Sequence, residues 1–239
     1  QVIRAINRSS KREQAGSRKE AKEAKDEDVV PVVNEEIDER KKALEDKKAA
    51  RAAEAAQRRQ EILEEREAKN NHGTCWTMQV AVFAKLVGDT SLLSYCNNRF
   101  KTVLLPSQMA PNGSFPLEIK RTKPYGYSLF NLDAMVTLAS VLSTQKENLF
   151  DFIGTGNVSI RKGIEFMFPF IVNKASWPYA KDVMYFDEWP VAPIALLFGS
   201  KATNNAGWFD TWKKLEHFPT NEEIIRNTPI RNPLIWIYN

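Results

Sequence analysis

The sequence predicts an all-α fold, built from helical hairpins that follow one another at short spacing. Apolar residues recur at helical spacing in successive segments after residue 74, and few segments alternate in the manner of a β-strand. The first seventy residues hold 35 of the chain's 64 charged side chains, which favours one long, solvated helix ahead of the hairpins. The length of 239 residues suffices for one globular domain with an appendage.

The charged region begins with a segment that lacks core-forming residues. Residues 11–28 alternate charged and small side chains, so they cannot bury enough surface to offset the entropy of ordering, and we expect disorder. The valine-rich residues 29–33 predict a short extended insert. Asn34 can then cap a helix that runs to Lys69, since nearly every residue between them is a good helix former.

No apolar seam continues along this helix. Ile37 and Leu44 stand one heptad apart, but the next position in that register is Arg51, which makes a stable coiled coil unfavourable. We interpret the segment as a solvated helix stabilised by charge pairs one turn apart. An arm that binds a partner or nucleic acid is the alternative, although the 18 basic and 17 acidic residues of the region nearly balance.

Composition argues against several classes of function. A net charge of +4 does not by itself argue for nucleic-acid binding. The apolar runs, such as residues 194–198, are too short to span a membrane, and residues 1–10 lack the apolar core of a signal peptide. Cys75 and Cys96 cannot form a disulfide framework; we expect buried free thiols, with a single disulfide as the alternative.

An apolar face predicts each of the first four helices after residue 74, and three of them also have a candidate capping residue. Thr74 caps a first helix that ends at Gly88, and Asp89 or Thr90 caps a second helix that Pro106 stops. The apolar faces of the first four predicted helices are Trp76, Val80, Phe83 and Val87; Leu92, Cys96, Phe100 and Val103; Leu132, Met135, Ala139 and Leu142; and Ile160, Ile164, Met167 and Ile171.

The remaining segments complete the helical pattern. Residues 114–120 alternate briefly after a turn signal, as a strand or an extended loop would. Ser159 caps the fourth helix, and residues 190–198 and 205–216 are predicted to form two more. Because helix follows helix with little sign of strands, the sequence predicts an array of helical hairpins.

Two clusters carry side chains suited to chemistry. Asn71 and His72 immediately precede the first amphipathic helix, where such a pair alone is most simply a cap or a turn. Residues 118–128 place three cations and two phenols in a segment bent by a proline and a glycine. Polar and aromatic groups on a loop held by helices are typical of a binding site, and a solvated basic turn is the alternative.

These clusters resemble two motifs of the alginate-lyase-like family of polysaccharide lyases. The first is Asn-Asn-His at residues 70–72, followed by small and aromatic residues. The second is Leu-Glu-Ile-Lys-Arg at residues 117–121, with Tyr127 six residues after the arginine. The segment Asn-Gly-Ser-Phe-Pro at residues 112–116 also fits the family, and Met-Tyr-Phe-Asp-Glu-Trp-Pro at residues 184–190 is similar to the branch that cleaves glucuronan.

The resemblance covers residues 62–200 and implies an (α/α) toroid-type domain over residues 62–239. Residues 1–61 do not resemble the hairpins that precede the first motif in the family, so they are interpreted as a charged extension, partly disordered and partly helical. This implies an incomplete toroid. A catalytically inactive, truncated lyase-like helical protein or a scaffold is therefore the alternative function. The family resemblance implies an extracellular or periplasmic location.

The reaction implied by the resemblance is β-elimination on a uronate polymer of the alginate or glucuronan type. Cleavage removes the proton on C5 and expels the oxygen on C4, which requires neutralisation of the adjacent carboxylate. Asn71 and Arg121 fit that neutralising role, and protonated His72 can add positive charge. Tyr127 fits the acid that protonates O4, and Arg121 close to it would favour the phenolate. The base is Tyr127 when C5–H and O4 lie on one side, and His72 when they lie on opposite sides.

Several further residues are predicted to contact an acidic polysaccharide, with no nucleic acid and no membrane as partners. The aromatic members can stack on sugar rings, although core packing is the commoner role of such side chains. No cofactor and no metal are expected, because two histidines exclude a multi-histidine site. The predicted substrate-binding residues are Lys120, Lys123, Tyr125, Trp177, Tyr185, Glu188 and Trp189.

Overall fold

The computed structural model describes residues 30–234, so the disorder predicted for residues 11–28 lies outside the described part of the chain. The chain divides into two compact units, Gln1–Glu61 and Ile62–Asn239. Over residues 30–234 the structure contains helices, turns and three isolated β-bridges but no strand, which confirms the predicted all-α class. Within the same residues, no helix combines the length and the apolar character that crossing a membrane requires.

The helices are numbered here in chain order. Two single 3₁₀ turns, Lys174–Ser176 and Phe186–Glu188, and one π-helical turn, Phe100–Leu104, accompany them. The α-helices are α1 (Val30–Glu67), α2 (Asn71–Val87), α3 (Thr90–Arg99), α4 (Leu105–Gln108), α5 (Pro116–Ile119), α6 (Pro124–Leu142), α7 (Ile160–Val172), α8 (Ile194–Thr203), α9 (Ala206–Trp212) and α10 (Glu222–Arg226).

Helix α1 confirms the predicted long charged helix but begins earlier than expected. Residues 30–33 are helical, so the predicted extended insert is wrong there. A proline is tolerated in the first turn of a helix, where its missing N–H has no intrahelical partner to lose. Ion pairs one turn apart lie on the exposed surface, such as Arg58 with Glu54 at 2.7 Å, as expected for a solvated helix.

The first hairpin, α2 and α3, is set by local caps. The side chain of Asn70, not Thr74, caps α2 by accepting a hydrogen bond from the His72 N–H at 3.1 Å. Gly88 ends the helix as predicted, with a φ of 75° that favours glycine. Asp89 then caps α3 by accepting from the Leu92 N–H at 2.9 Å, which is one of the two predicted starts.

Two predictions between α3 and α6 are wrong. Pro106 does not stop the second helix, because the chain passes through the π-helical turn into α4, where the proline stands in the first turn. Residues 114–120 form no strand; they include the short helix α5. The brief alternation of side chains there has no neighbouring strand with which to pair.

Long-range hydrogen bonds define how the helices run. Arg99, at the end of α3, donates from Nε to Thr77 Oγ1 near the start of α2 at 3.3 Å, so these two helices are antiparallel. Lys85, near the end of α2, donates from Nζ to the carbonyl of Val141 near the end of α6 at 2.9 Å. Since Asn71 and Arg121 meet at their other ends, α2 and α6 run parallel.

Helix α6 lies at the centre of the core and is almost wholly buried. It packs against α2, α7 and α8. The free thiols predicted from the sequence are observed, with Cys96 buried and Cys75 partly exposed. Burial raises the pKa of the Cys75 thiol to about 12 and that of Cys96 to about 11. Cys96 therefore serves as a small core residue.

Buried carboxylates from distant positions bind the N-termini of two helices. Asp182 accepts from the Tyr125 N–H at 2.8 Å and the Gly126 N–H at 2.9 Å in the first turn of α6. Asp133 accepts from the Ala195 N–H at 2.8 Å at the start of α8. A carboxylate is stabilised at a helix N-terminus by unpaired N–H groups and the helix dipole, so each pair fixes one helix against a remote segment.

Asp133 gives a testable dependence of stability on pH. Burial raises its pKa from 3.8 to about 7, although backbone N–H groups of α8 oppose the rise. Because the native state holds this proton more tightly than the unfolded chain, raising the pH from about 4 to about 7 should favour unfolding. In urea denaturation, the free energy of unfolding of Asp133→Asn should fall less over that range than that of the parent. Asp187→Asn, which changes a fully exposed carboxylate, should follow the parent curve. Parallel curves for Asp133→Asn and the parent would contradict the raised pKa of Asp133.

Candidate active site

The candidate site is built around Glu118, a carboxylate whose side chain is 1% exposed. Its Oε1 accepts from the backbone N–H of Asn71 at 2.6 Å, at the start of α2. Its Oε2 accepts from Arg121 Nη1 at 2.9 Å. Burial raises the pKa of Glu118, while the Asn71 N–H and the Arg121 guanidinium oppose that rise. Glu118 therefore joins the two motifs that the sequence places about fifty residues apart.

Arg121 brings three of the four predicted catalytic residues together. Its Nη1 donates to Asn71 Oδ1 at 3.2 Å, and its guanidinium carbon lies 3.8 Å from the centroid of the Tyr127 ring. Because a guanidinium only donates hydrogen bonds, this contact orients Oδ1 of Asn71 inward and leaves its Nδ2 group able to donate to a ligand. The cation covers the face of the Tyr127 ring, a favourable cation–π geometry that restrains the phenol.

His72 stands beside Asn71 with its side chain 48% exposed. Its Nδ1 lies 3.0 Å from each carboxylate oxygen of Glu65, near the end of α1. A carboxylate accepts hydrogen bonds, so it favours the proton on Nδ1 and leaves Nε2 as the basic nitrogen of the neutral ring. This is the arrangement that a histidine acting as a general base requires.

Local backbone packing explains the sequence around His72. Gly73 lies so close to the end of α1 that a Cβ atom placed on it would be 2.2 Å from the carbonyl oxygen of Ala68. Only glycine fits this approach without a shift of the backbone. The glycine thus permits the close packing that brings Glu65 to His72.

Lys123 and Tyr185 extend the site beside Tyr127. The Nζ of Lys123 lies 5.0 Å from the centroid of the Tyr185 ring and 6.0 Å from that of Tyr127. The segment that carries Tyr185 is held against the start of α6, since the Val183 N–H donates to the carbonyl of Thr122 at 3.0 Å. Lys123 therefore lies near both the candidate catalytic tyrosine and Tyr185.

The expectation that residues 118–128 form a loop is wrong in its second half, and this separates the two tyrosines. Tyr125, Gly126 and Tyr127 lie in the first turn of α6. Successive residues of a helix point about 100° apart, so the two phenols face different directions. Tyr125 is 0% exposed and donates its hydroxyl to the carbonyl of Phe170 at 3.0 Å, whereas Tyr127 is partly exposed.

Burial divides the other predicted substrate-binding residues into two groups. Trp177 and Trp189 join Tyr125 in the hydrophobic core, where their rings pack against neighbouring side chains, so the structure corrects the expectation that these three rings face a sugar. The ring of Trp177, for example, contacts that of Tyr125 edge to face at 5.2 Å. Lys120 and Glu188 are exposed, and Glu188 ends a 3₁₀ turn.

Three carboxylates of this region had no role in the sequence analysis. Glu65 contacts His72, Glu118 joins Asn71 to Arg121, and Glu223 pairs with Lys123 Nζ at 2.7 Å. The spacing of three residues between Glu118 and Arg121 is a signal that could have identified their pair. The other two pairs cross between segments, and no local pattern marks them.

A cavity of about 400 Å³ lies apart from these residues. Its walls are mostly apolar and include Trp212, Phe218, Ile230 and Leu234. His217 lines it too, with its ring centroid 4.3 Å from that of Trp212. None of the predicted site residues lines this cavity. The candidate site is therefore identified by its hydrogen bonds and charges and not by the volume of a cavity.

Removal of the Glu118 side chain tests whether its hydrogen bonds join Asn71 to Arg121. Glu118→Ala leaves the Asn71 N–H and the partly buried Arg121 guanidinium without their shared acceptor. We expect a loss of roughly 3–5 kcal/mol in the free energy of unfolding, measured by urea denaturation, since breaking a buried pair leaves an uncompensated charge. Glu118→Gln retains an acceptor for the Asn71 N–H, so its free energy of unfolding should fall by less. A loss below about 1 kcal/mol for Glu118→Ala would contradict this role.

Comparison with known proteins agrees with the resemblance found in the motifs. The family model described as alginate lyase matches residues 33–177. This match begins within the stretch that the sequence analysis placed outside the resemblance and ends before residue 200. No curated protein matches the chain.

One solved structure with a significant match is an alginate lyase from Bacteroides ovatus, at 27% sequence identity and a TM-score of 0.58. The match covers 74% of this chain and 44% of that lyase, so the chain spans less than half of the solved protein. The match agrees with the all-α, toroid-type fold expected from the motifs. Because the family model covers more than half of its residues, this chain belongs to the alginate lyase family.

Proposed function

We propose that the chain is a polysaccharide lyase that cleaves a uronate-containing polymer, of the alginate or glucuronan type, by β-elimination. The observation that carries the proposal is the contact of Arg121 with both Asn71 and Tyr127, next to a histidine oriented by a carboxylate. The Bacteroides ovatus relative is described as an alginate lyase, which supports the reaction class.

The first step is stabilisation of the uronate carboxylate. The C5 proton is weakly acidic because the carboxylate resists the additional negative charge of an enolate. Asn71 Nδ2 can donate to that carboxylate while its Oδ1 stays bound to Arg121. Arg121, which binds that Oδ1, adds positive charge beside the same uronate carboxylate. Donors that are already oriented stabilise the developing charge without reorganisation during the reaction.

The second step is the elimination itself, in which the C5–H and C4–O4 bonds break. A base takes the C5 proton, the electrons of the C5–H bond form the C4–C5 double bond, and the C4–O4 bond breaks. Tyr127 then protonates O4 of the leaving sugar. In mannuronate and glucuronate, Tyr127 as phenolate can accept the C5 proton and pass it to O4. In guluronate, Nε2 of His72 accepts the proton from the opposite side.

A non-catalytic helical protein is the second candidate function. It is favoured by the burial of Tyr125, Trp177 and Trp189, which removes three of the predicted substrate contacts. The two candidates differ in one measurement, the ultraviolet absorbance of the unsaturated uronate formed by elimination. A lyase should raise that absorbance on at least one of mannuronate-rich alginate, guluronate-rich alginate and glucuronan, and a non-catalytic protein on none.

The family relationship suggests that the substrate is met outside the cytoplasm.

Tyr127→Phe tests the proposed acid. The change removes one hydroxyl, so folding and substrate binding should persist while turnover falls roughly 10²–10⁴-fold, the usual contribution of a positioned acid or base. Initial rates on each polymer that the parent cleaves measure the effect. Tyr95→Phe, at an exposed tyrosine of α3, is the matched control and should retain the parent rate. Full activity of Tyr127→Phe on every polymer would remove Tyr127 from the mechanism.

His72→Gln separates the two geometries of elimination. Where His72 is the base, as proposed for guluronate, the variant should lose cleavage, because glutamine cannot accept the C5 proton at neutral pH. Where Tyr127 serves as both base and acid, the variant should be slower but active. The ratio of initial rates on mannuronate-rich and guluronate-rich alginate is the measurement. An unchanged ratio, with both rates lowered equally, would contradict the separate role of His72.

A further inference from the structure

An ion pair links the candidate site to the short helix α10. Lys123, immediately before α6, places its Nζ 2.7 Å from Oε1 of Glu223. The side chains of the two residues are only 17% and 13% exposed. Partial exclusion of water strengthens such a pair relative to one on the open surface. Glu223 lies beyond residues 33–177, the part of the chain matched by the family model.

Glu223 is held in place by its own helix. Asn227 Nδ2 donates to its Oε1 at 3.1 Å, and Arg226 donates to its Oε2. Its backbone N–H donates to the capping side chain of Asn221 at 3.0 Å. The hydrogen bond from Lys123 lowers the pKa of Glu223 further below its ordinary value, so the carboxylate is ionised at neutral pH. The carboxylate is therefore a fixed acceptor to which the longer lysine side chain is bound.

The ammonium of Lys123 lies near two aromatic rings as well as that acceptor. Its distances to the ring centroids are 5.0 Å for Tyr185 and 6.0 Å for Tyr127. An ammonium carries three N–H donors, so one bond to Glu223 leaves two for other groups. Tyr185 has a φ of 65°, an uncommon backbone conformation for a tyrosine that presents its ring at this position.

We propose that Glu223 is a positioning residue for uronate binding, which holds Lys123 near Tyr127 and Tyr185 so that the ammonium donates to the carboxylate of a bound uronate. The inference rests on the proposed function and names a contact of the same site. The ring of Tyr185 is the stacking surface for the sugar that Lys123 binds. Since the pair with Glu223 is close to neutral, Lys123 contributes directed hydrogen bonds more than long-range attraction.

A double-mutant cycle on the full chain tests this. The variants are Lys123→Ala, Glu223→Ala and the two combined, and the probes are oligomers of mannuronate, guluronate and glucuronate. Calorimetric titration gives Kd, and initial rates give KM and kcat. Lys123→Ala should raise Kd and KM about tenfold, the usual loss for a hydrogen bond to a charged group. Glu223→Ala should raise them in the same direction with kcat little changed, and the double variant should be no weaker than Lys123→Ala.

Glu222→Ala is the matched control, because it removes the same charge from the neighbouring, exposed position of α10. Its Kd should equal that of the parent. Thermal unfolding reports whether each variant is folded, and Glu223→Gln, which removes only the charge, replaces Glu223→Ala if the latter unfolds. Equal Kd values for the Glu222 and Glu223 variants, or additive effects of the Lys123 and Glu223 changes, would overturn the proposal.

Failure of the proposed function gives a different result. A parent chain that binds an oligomer but produces no unsaturated uronate contradicts the lyase reaction. In that case the Kd values of the double-mutant cycle still decide the role of Glu223. A parent chain that binds none of the three oligomers overturns both. A rise in Kd for Glu223→Ala, absent for Glu222→Ala and not additive with Lys123→Ala, supports the positioning role.

Discussion

The hydrogen bonds of the buried Glu118 carboxylate hold the candidate site together. One oxygen accepts from the N-terminus of α2 at 2.6 Å and the other from Arg121 at 2.9 Å, just ahead of α6. Arg121 in turn contacts Asn71 and the Tyr127 ring. A buried carboxylate with two donors tolerates the loss of neither partner, because each would be left without a compensating group. The positions of the candidate catalytic residues thus depend on a residue to which the proposed mechanism assigns no chemical step.

The same type of interaction, a carboxylate bound to the N-terminus of a helix, occurs elsewhere in the domain. Asp182 binds the N–H groups at the start of α6, and Asp133 binds those at the start of α8. In each case a carboxylate from a distant part of the sequence satisfies donors that a helix cannot pair within itself. Helix N-termini are therefore the points at which remote segments are joined. Because Tyr127 lies at one of these points, the candidate site and the fold share the same contacts.

Segments on both sides of α6 contribute to the region around Tyr127. Arg121 comes from the turn before that helix, and Glu65 at the end of α1 contacts His72. Tyr185 comes from the segment that follows α7 and lies against Lys123. Part of this surface, including Tyr185, lies beyond residues 33–177, which the family model matches. The family match therefore accounts for the candidate catalytic residues better than for those that would select a substrate.

The sequence alone predicts the helical class, several helix starts and ends, and the candidate residues Asn71, His72, Arg121 and Tyr127. These follow from capping side chains, apolar spacing and motifs, which are local and act within a few residues. Tertiary structure alone decided that Tyr125 is buried while Tyr127 is partly exposed, and that Glu118 joins the two motifs. Such contacts join residues that are far apart in the chain, so they depend on how helices cross, a property that no short stretch of sequence encodes.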